Sequence, residues 1–307
     1  MAGEPAAGSA DTALQNYQPL PGIPDEMVDA NGAIRPLWSR MAGHLAGLSP
    51  DDLSKNLARA DRYLLDSGVF YRQYGGDISV ERPWPLSHVP VLLSECEWNS
   101  IADALRQRAD LLEAVLADIY GQNALVASGR LPADLVAGNP AWLRPMVGVR
   151  PRSGHHLHFL AFELGRGPDG KWWVLADRTQ APSGAGYALE NRVATARAFA
   201  DLYADANIHR LAGFFRDFRD ALLNLRITPD GRVAILTPGT LNETYFEHAY
   251  IARYLGFTLV EGGDLAVVND RLMIRTVQGM MPADVIWRRM DADYADPLEL
   301  NPASRIG

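Results

Sequence analysis

The sequence predicts a mixed α/β fold with α+β character, and three observations carry that prediction. Residues 156–164 (HLHFLAFEL) and 171–177 (KWWVLAD) alternate apolar and polar positions around Gly167-Pro168-Asp169-Gly170, which is a hairpin signature. Arg232 to Thr237 (RVAILT) is a short apolar strand that ends in Pro238-Gly239 and feeds a helical pattern over about 243–256, a βα unit. Ser94 followed three residues later by Glu97 is a capping box, and the helix it opens runs to about Ile119 or Ala124.

The remaining elements follow in chain order. Residues 1 to about 34 lack periodicity and read as a flexible leader. Ser49-Pro50-Asp51-Asp52 starts a helix with Pro at its first position and acids in its first turn, and Leu53, Leu57, Ala60 and Leu64 recur at helical spacing. Val69 to Tyr74 alternates as a strand does, and Pro83, Pro85 and Pro90 punctuate the loop after it. Ile101, Leu105, Leu112, Leu116 and Ile119 form the inward face of the helix opened by Ser94. Helices are expected over about 189–203 and 208–225, and further strands over 259–268, 272–276 and 285–287. No segment repeats at a solenoid period.

Composition narrows the function classes. The 307 residues are 48% apolar and 21% charged, enough to bury a sizeable core in one large domain or two small ones. A net charge of −8 without a basic stripe argues against a nucleic-acid partner. No apolar run approaches the roughly 20 residues of a membrane helix, and no basic-then-apolar signal opens the chain, so the expected location is cytoplasmic. The lone cysteine, Cys96, excludes an intramolecular disulfide and multi-cysteine metal sites, and it is expected to be an inert, buried thiol. Only two lysines stand among 29 basic residues: Lys171, which follows the Pro168-Asp169-Gly170 turn and is expected to face solvent, and Lys55, on an early amphipathic helix, and neither is placed as a phosphate ligand.

The densest chemistry lies in ADRTQAPSGAGYALENR, from Ala176 to Arg192. Two acids (Asp177, Glu190) and two arginines (Arg178, Arg192) flank Pro182, Ser183 and Gly184 between a strand and a helix. Two readings stand: a loop that cradles an anionic or metal-bound ligand, or a Gly-rich turn with a solvated ion pair. Ser183-Gly184-Ala185-Gly186 offers backbone N–H groups ahead of a helix N-terminus. Tyr187 is placed to stack on or hydrogen-bond a substrate, and Glu190, Asn191 and Arg192 are expected in the first turn of that helix.

Three further groups follow. Asn242, Glu243, Tyr245, Glu247 and His248 come after the Pro238-Gly239 turn. Glu243 and Glu247, four apart on one expected helix face, read either as a general acid/base pair or as a cap and a solvated face. His248 has no second histidine at metal spacing, which argues against zinc. Glu261-Gly262-Gly263-Asp264 joins two strands, with Asp264 a ligand candidate or part of a tight turn. Arg288, Arg289 and Asp291 put charges at the carboxyl end of a strand, where open α/β sheets bind ligands. Adjacent strand residues point to opposite faces, so one arginine at most serves a given site, and the sequence leaves open which.

ADRTQAPSGAGYALENR, with PGTLNETYFEHAYIARYLGFTLVEGGDL (238–265) and DVIWRRMDADYADPLEL (284–300), resembles the circularly permuted ATP-grasp proteins of type 2. These are related to glutathionylspermidine synthases and eukaryotic-type glutathione synthetases. The resemblance runs from about Leu64 to Gly307. It implies a mixed sheet flanked by helices and an ATP-dependent carboxylate–amine ligase acting through an acyl phosphate. ATP and Mg2+ are the implied cofactors, and a small-molecule or peptide carboxylate and an amine are the implied partners. Residues 35–307 then form the N-terminal portion of a permuted ATP-grasp domain, incomplete at its C-terminus. Much of the nucleotide clamp is expected beyond Gly307, in a C-terminal half or partner chain.

The related synthetases place an acid on one strand and a Glu-x-Asn pair on the next. Here those positions are Glu163 and Ala176-Asp177-Arg178, so Glu163 and Asp177 are the implied metal ligands. A turn centred near Pro168 sets Glu163 opposite Trp173 or Val174, at a diagonal or more from Asp177. Arg178, replacing the asparagine, is suited to grip phosphate in a bidentate fork, and it joins Arg288 and Arg289 as the catalytic candidates. Ser183, Gly184, Tyr187, Glu190, Asn191, Arg192, Glu243 and Asp264 are the substrate-binding candidates. Two alternatives remain: a catalytically silent ATP-grasp-like binding or assembly module, and a hydrolase using Glu243 and Glu247.

Overall fold

The computed structural model describes residues 17–75, 78–295, 302–304 and 306. In chain order the elements are α1 (Ser39–Gly47), α2 (Pro50–Asp66), β1 (Phe70–Gly75), β2 (Ile78–Pro83) and α3 (Glu95–Ile119). The short helices α4 (Ala124–Ala127) and α5 (Ala133–Ala137) precede β3 (Ala161–Arg166), β4 (Trp172–Arg178), α6 (Ala185–Ala198), α7 (Ala200–Asp205) and α8 (Ala212–Asn224). The chain closes with β5 (Arg232–Leu236), α9 (Tyr245–Leu255), β6 (Thr258–Val260), β7 (Leu265–Val268), β8 (Arg271–Thr276), β9 (Gly279–Arg288) and α10 (Ala292–Ala295). The expected mixture of helix and strand is the architecture observed. The chain divides into two compact units, one from residues within 1–100, 164–175 and 185–211, the other from 101–163, 176–184 and 212–307.

In the first unit α2 begins as its sequence demands. Ser49 Oγ accepts the Asp52 N–H at 3.1 Å, and Pro50 occupies the first turn, where no N–H is needed. Helix α2 packs on α6, and the fully buried Ala60 and Ala194 let the two backbones approach. Trp38, Met41, Leu45 and Phe199 are also buried in this unit. Within the segment expected as a leader, residues 1–16 lie outside the described residues, and residues 25–34 are tied down. Asp25 Oδ1 accepts the N–H groups of Met27 and Val28 at 2.8 Å, and Asp29 Oδ1 accepts those of Asn31 and Ala33 at 2.9 Å. Met27 and Val28 are buried. Strand β1 lies where alternation placed it, but its antiparallel partner β2 falls in a segment read as loop, because the Pro83 that suggested a break only closes the strand.

The second unit is built on a five-stranded sheet of order β6-β5-β9-β8-β7. Strands β6, β5 and β9 run parallel, while β9, β8 and β7 are antiparallel neighbours. Val233 to Leu236 are all buried, as a central strand's near-continuous apolar run requires. Ala234, Leu236, Val260, Ile274 and Met290 form the core, and burying a side chain such as Ile274 contributes roughly 1.5–3 kcal/mol. Helix α9 packs on β5 and β6 and ends at Gly256, whose φ of 72° only glycine adopts without strain.

Several boundaries differ from the sequence expectation, each for a local reason. Strand β3 starts at Ala161 rather than His156, because the Glu113 carboxylate accepts the N–H groups of His156 and Leu157 at 2.8 Å and so removes them from strand pairing. The helix expected from 189 begins at Ala185, and Phe199, at φ −127° and ψ 53°, divides it into α6 and α7. The expected 243–256 helix starts at Tyr245, since Asn242 Oδ1 takes the Thr244 N–H in a turn. A 3-10 turn at Gly262–Asp264 splits the expected 259–268 strand into β6 and β7. The expected inward face of α3 is real, with Ile101 the most buried. Cys96, expected buried, is exposed, because the helical phase that turns Ile101 inward turns Cys96 outward.

Candidate functional site

In the second unit three parallel strands end side by side. Leu236 of β5 pairs with Val260 of β6 and with Arg288 of β9, the Thr237 N–H reaches the Val260 carbonyl at 2.9 Å, and the Arg289 N–H reaches the Leu236 carbonyl at 2.8 Å. Their carboxyl ends therefore gather Thr237, Glu261, Arg288 and Arg289, the edge where an α/β sheet concentrates ligand-binding groups.

The segment 176–184 lies against this edge, and both arginines hold it. Arg289 Nη2 donates to the Pro182 carbonyl at 2.7 Å and to Ser183 Oγ at 3.3 Å, while Arg288 Nη1 donates to Gln180 Oε1 at 3.5 Å and to the Met290 carbonyl. Gln180 Oε1 also accepts the Ala292 N–H at 3.0 Å. The two arginines point in different directions, as strand geometry requires, yet the loop between them engages both. Arg289 is the interior member: its side chain is 2% exposed, stacks over Trp287 at 4.7 Å, and has no hydrogen-bond acceptor for Nε or Nη1 among the described residues.

Behind the loop stands a buried polar cluster that the sequence did not assemble. Glu247 is fully buried; its Oε1 accepts the Gly184 N–H at 2.7 Å, and its Oε2 lies 3.6 Å from Arg289 Nη2. Removing one partner of such a buried pair strands the other charge and costs roughly 3–5 kcal/mol. Gly184 sits at φ +124°, a conformation that side chains resist. His248 is also buried, with Nδ1 2.9 Å from Thr237 Oγ1 and Nε2 3.2 Å from Thr244 Oγ1. Burial, and secondarily the nearby Arg289 charge, push its pKa down to about 3, so it is a neutral imidazole. Thr244 Oγ1 in turn lies 3.3 Å from Ser183 Oγ, which links the exposed serine to the buried histidine.

The expected metal ligands are each closed by an arginine. Arg178 Nε and Nη2 both donate to Glu163 Oε1, at 2.8 and 2.6 Å. Arg108, on α3, grips Asp177 in a fork, Nε to Oδ1 at 2.7 Å and Nη2 to Oδ2 at 2.8 Å. The Arg108 hydrogen bond, against some burial, holds the Asp177 carboxyl below the usual carboxylate range. Among the described residues no group of three or more His, Cys, Asp or Glu side chains is arranged to hold a metal ion. Both Asp177 oxygens and one Glu163 oxygen are thus taken by guanidinium donors. Nothing in the sequence announced Arg108, which stands 69 residues before its partner.

The other candidates fall elsewhere. Tyr187, Glu190, Asn191 and Arg192 belong to the first unit, on α6, and Glu190 to Arg192 lie in its second turn rather than its first. Tyr187 is buried, donates its hydroxyl to the Phe70 carbonyl at 2.9 Å and stacks on Trp84 at 4.0 Å. Asn191 accepts the Trp84 indole N–H at 2.8 Å, Glu190 is buried beside Tyr63, and Arg192 is half-buried without an ion pair among the described residues. Glu243 is exposed and precedes α9, so it shares no helix face with the buried Glu247. Asp264 Oδ2 accepts the Glu261 N–H at 2.9 Å in a reciprocal cap. The lysines are exposed, at 72% for Lys55 and 78% for Lys171, each beside an aspartate. No helix of the described residues is long and apolar enough to cross a membrane.

Comparison with known proteins agrees with the motif reading. Residues 90–307 match the family described as circularly permuted ATP-grasp type 2. An uncharacterised protein of Synechocystis sp. is 36% identical over 296 residues, covering 96% of this chain and 61% of its own length. Two uncharacterised proteins of Mycobacterium tuberculosis are 36% and 37% identical, each over 92% of this chain, and cover 33% and 51% of their own lengths. The chain thus spans between a third and three fifths of the length of these relatives. Among solved structures, a glutathione synthetase-like effector from Globodera pallida in apo form aligns with a TM-score of 0.48 and 14% identity, over 82% of this chain and 61% of its own. With the family model covering more than half of its residues, the chain belongs to the circularly permuted ATP-grasp type 2 family.

Proposed function

We propose that the protein is an ATP-dependent ligase that joins a small-molecule or peptide carboxylate to an amine through an acyl phosphate. The observation that carries this reading is the membership of residues 90–307 in a family whose general chemistry is ATP-dependent ligation. The loop 179–184, pinned at the carboxyl ends of parallel strands, supports it locally. In this reading the exposed Ser183 Oγ receives the substrate carboxylate, and the buried Arg289 guanidinium positions it by holding Ser183 Oγ and the Pro182 carbonyl. Glu247 fixes that guanidinium and the Gly184 N–H, and Arg288 with Gln180 holds the loop's far side.

The test is incubation of the protein, together with the segment expected to carry the rest of the nucleotide clamp, with ATP and pooled amino acids and short peptides, with ADP and new amide products followed by mass spectrometry. ADP and a product that both depend on the pool are expected, and Ser183→Ala should reduce both at least tenfold while leaving the melting temperature within a few degrees. A second reading, a catalytically silent binding or assembly module acting in the cytoplasm, is favoured by the exposed lysines and the arginine-closed acids. Absence of both ADP formation and ATP binding would establish it.

A further inference from the structure

We infer that the two acids at the end of the β3–β4 hairpin carry guanidinium counter-ions built into the chain, Arg108 for Asp177 and Arg178 for Glu163, in place of a divalent cation. The inference concerns these acids alone and stands whether or not the protein is a ligase.

The chemistry of the donor set carries it. A small divalent cation takes hard oxygen ligands in a nearly octahedral shell and usually needs one or two free carboxylates. Both Asp177 oxygens are engaged in the Arg108 fork, at 2.7 and 2.8 Å, and Glu163 Oε1 receives two N–H donors from Arg178. Each carboxylate therefore faces a fixed positive charge, which repels an approaching cation at short range. The positions flanking Asp177 add no neutral or acidic donor. The position before Asp177 is Ala176, which has no donor oxygen, and the one after it is Arg178, which brings charge of the wrong sign. The four side chains sum to zero net charge, so the cluster is balanced as it stands. Both guanidiniums are substantially exposed, 43% for Arg108 and 61% for Arg178, so neither is needed to fill the core. Their role is local to the acids they face.

Mn2+ is the probe, because electron paramagnetic resonance separates the free ion from the bound one. The 307-residue wild-type chain should show no Mn2+ site that disappears on Asp177→Asn. The double variant Arg108→Gln/Arg178→Asn removes the counter-ions and supplies a neutral oxygen donor at 178. It should bind Mn2+ at least tenfold more tightly than wild type, and adding Asp177→Asn should remove the gain. A wild-type site abolished by Asp177→Asn would overturn the inference. So would a folded double variant, checked by circular dichroism, that binds Mn2+ no better than wild type. Should the double variant not fold, Arg178→Asn alone supplies the reading, with a smaller gain expected and no gain counting against the inference.

Discussion

Acid should destabilise the second unit through His248, and the size of the effect follows from its surroundings. The imidazole is buried between Thr237 and Thr244, with Arg289 as the facing cation and Glu247 preceding it on α9. Its folded-state pKa is about 3 against an ordinary 6.5, so the neutral form is the one the fold accepts. The sign is fixed by proton count. Between those two values the unfolded chain binds a proton at this site and the folded chain does not, so stability is present above pH 6.5 and falls as pH drops toward 3. From pH 7 to pH 5 the loss amounts to about 2 kcal/mol, or roughly 4–8 °C in melting temperature for a unit of this size. His248→Gln keeps a donor and an acceptor near the two threonines but cannot be protonated. The variant should be less stable at pH 7, and its stability should change by about 2 kcal/mol less than wild type's between pH 7 and 5. Urea unfolding at pH 7, 6 and 5, followed by tryptophan fluorescence, measures both slopes. Parallel pH profiles for wild type and variant, or a histidine resonance of His248 titrating near its ordinary value, would refute the reasoning.

Two other substitutions probe the scaffold. Gly231→Ala places a Cβ 1.8 Å from Asp284 Oδ2, the oxygen that accepts the Ile227 and Thr228 N–H groups at 2.8 Å. Displacing that carboxylate should cost about 1–3 kcal/mol, and an unchanged thermal melt would mean that the contact is not as drawn. Tyr187→Phe keeps the stack on Trp84 but loses the hydrogen bond to the Phe70 carbonyl, for a cost of about 1 kcal/mol. A loss of ligand binding at unchanged stability would instead return Tyr187 to the site.

Local pattern was sufficient for elements whose residues answer to near neighbours. The α2 start at Ser49-Pro50, the Gly167–Gly170 turn and the buried β5 run were legible because caps, turn dihedrals and two-sided burial leave their mark within a few residues. So was the alternation of β4, with Trp173 and Leu175 exposed on one face. Where a boundary slipped, a side chain from elsewhere had taken the backbone's partner, as Glu113 does at His156 and Leu157. The family too was legible, because its motifs are long and ordered along the chain.

The site divided along the same line. Sequence by itself placed Asp177, Arg178, Ser183, Gly184 and the Arg288-Arg289 pair in chemically dense segments. It could not choose between the two arginines, because strand parity gives opposite faces without saying which is interior. Only the parallel register of β5 and β9 turned Arg289 inward, against Pro182 and Ser183. Tyr187 and Asn191 read as ligand-facing because they follow a glycine-rich loop, yet the earlier start of α6 rotates both toward Trp84. Arg108 and Thr237 carry no local signal, and Glu247 read only as the partner of Glu243. Their roles are made by pairing across long stretches of chain, where a buried or forked charge must find its counter-charge, and only the tertiary structure decides which one it finds.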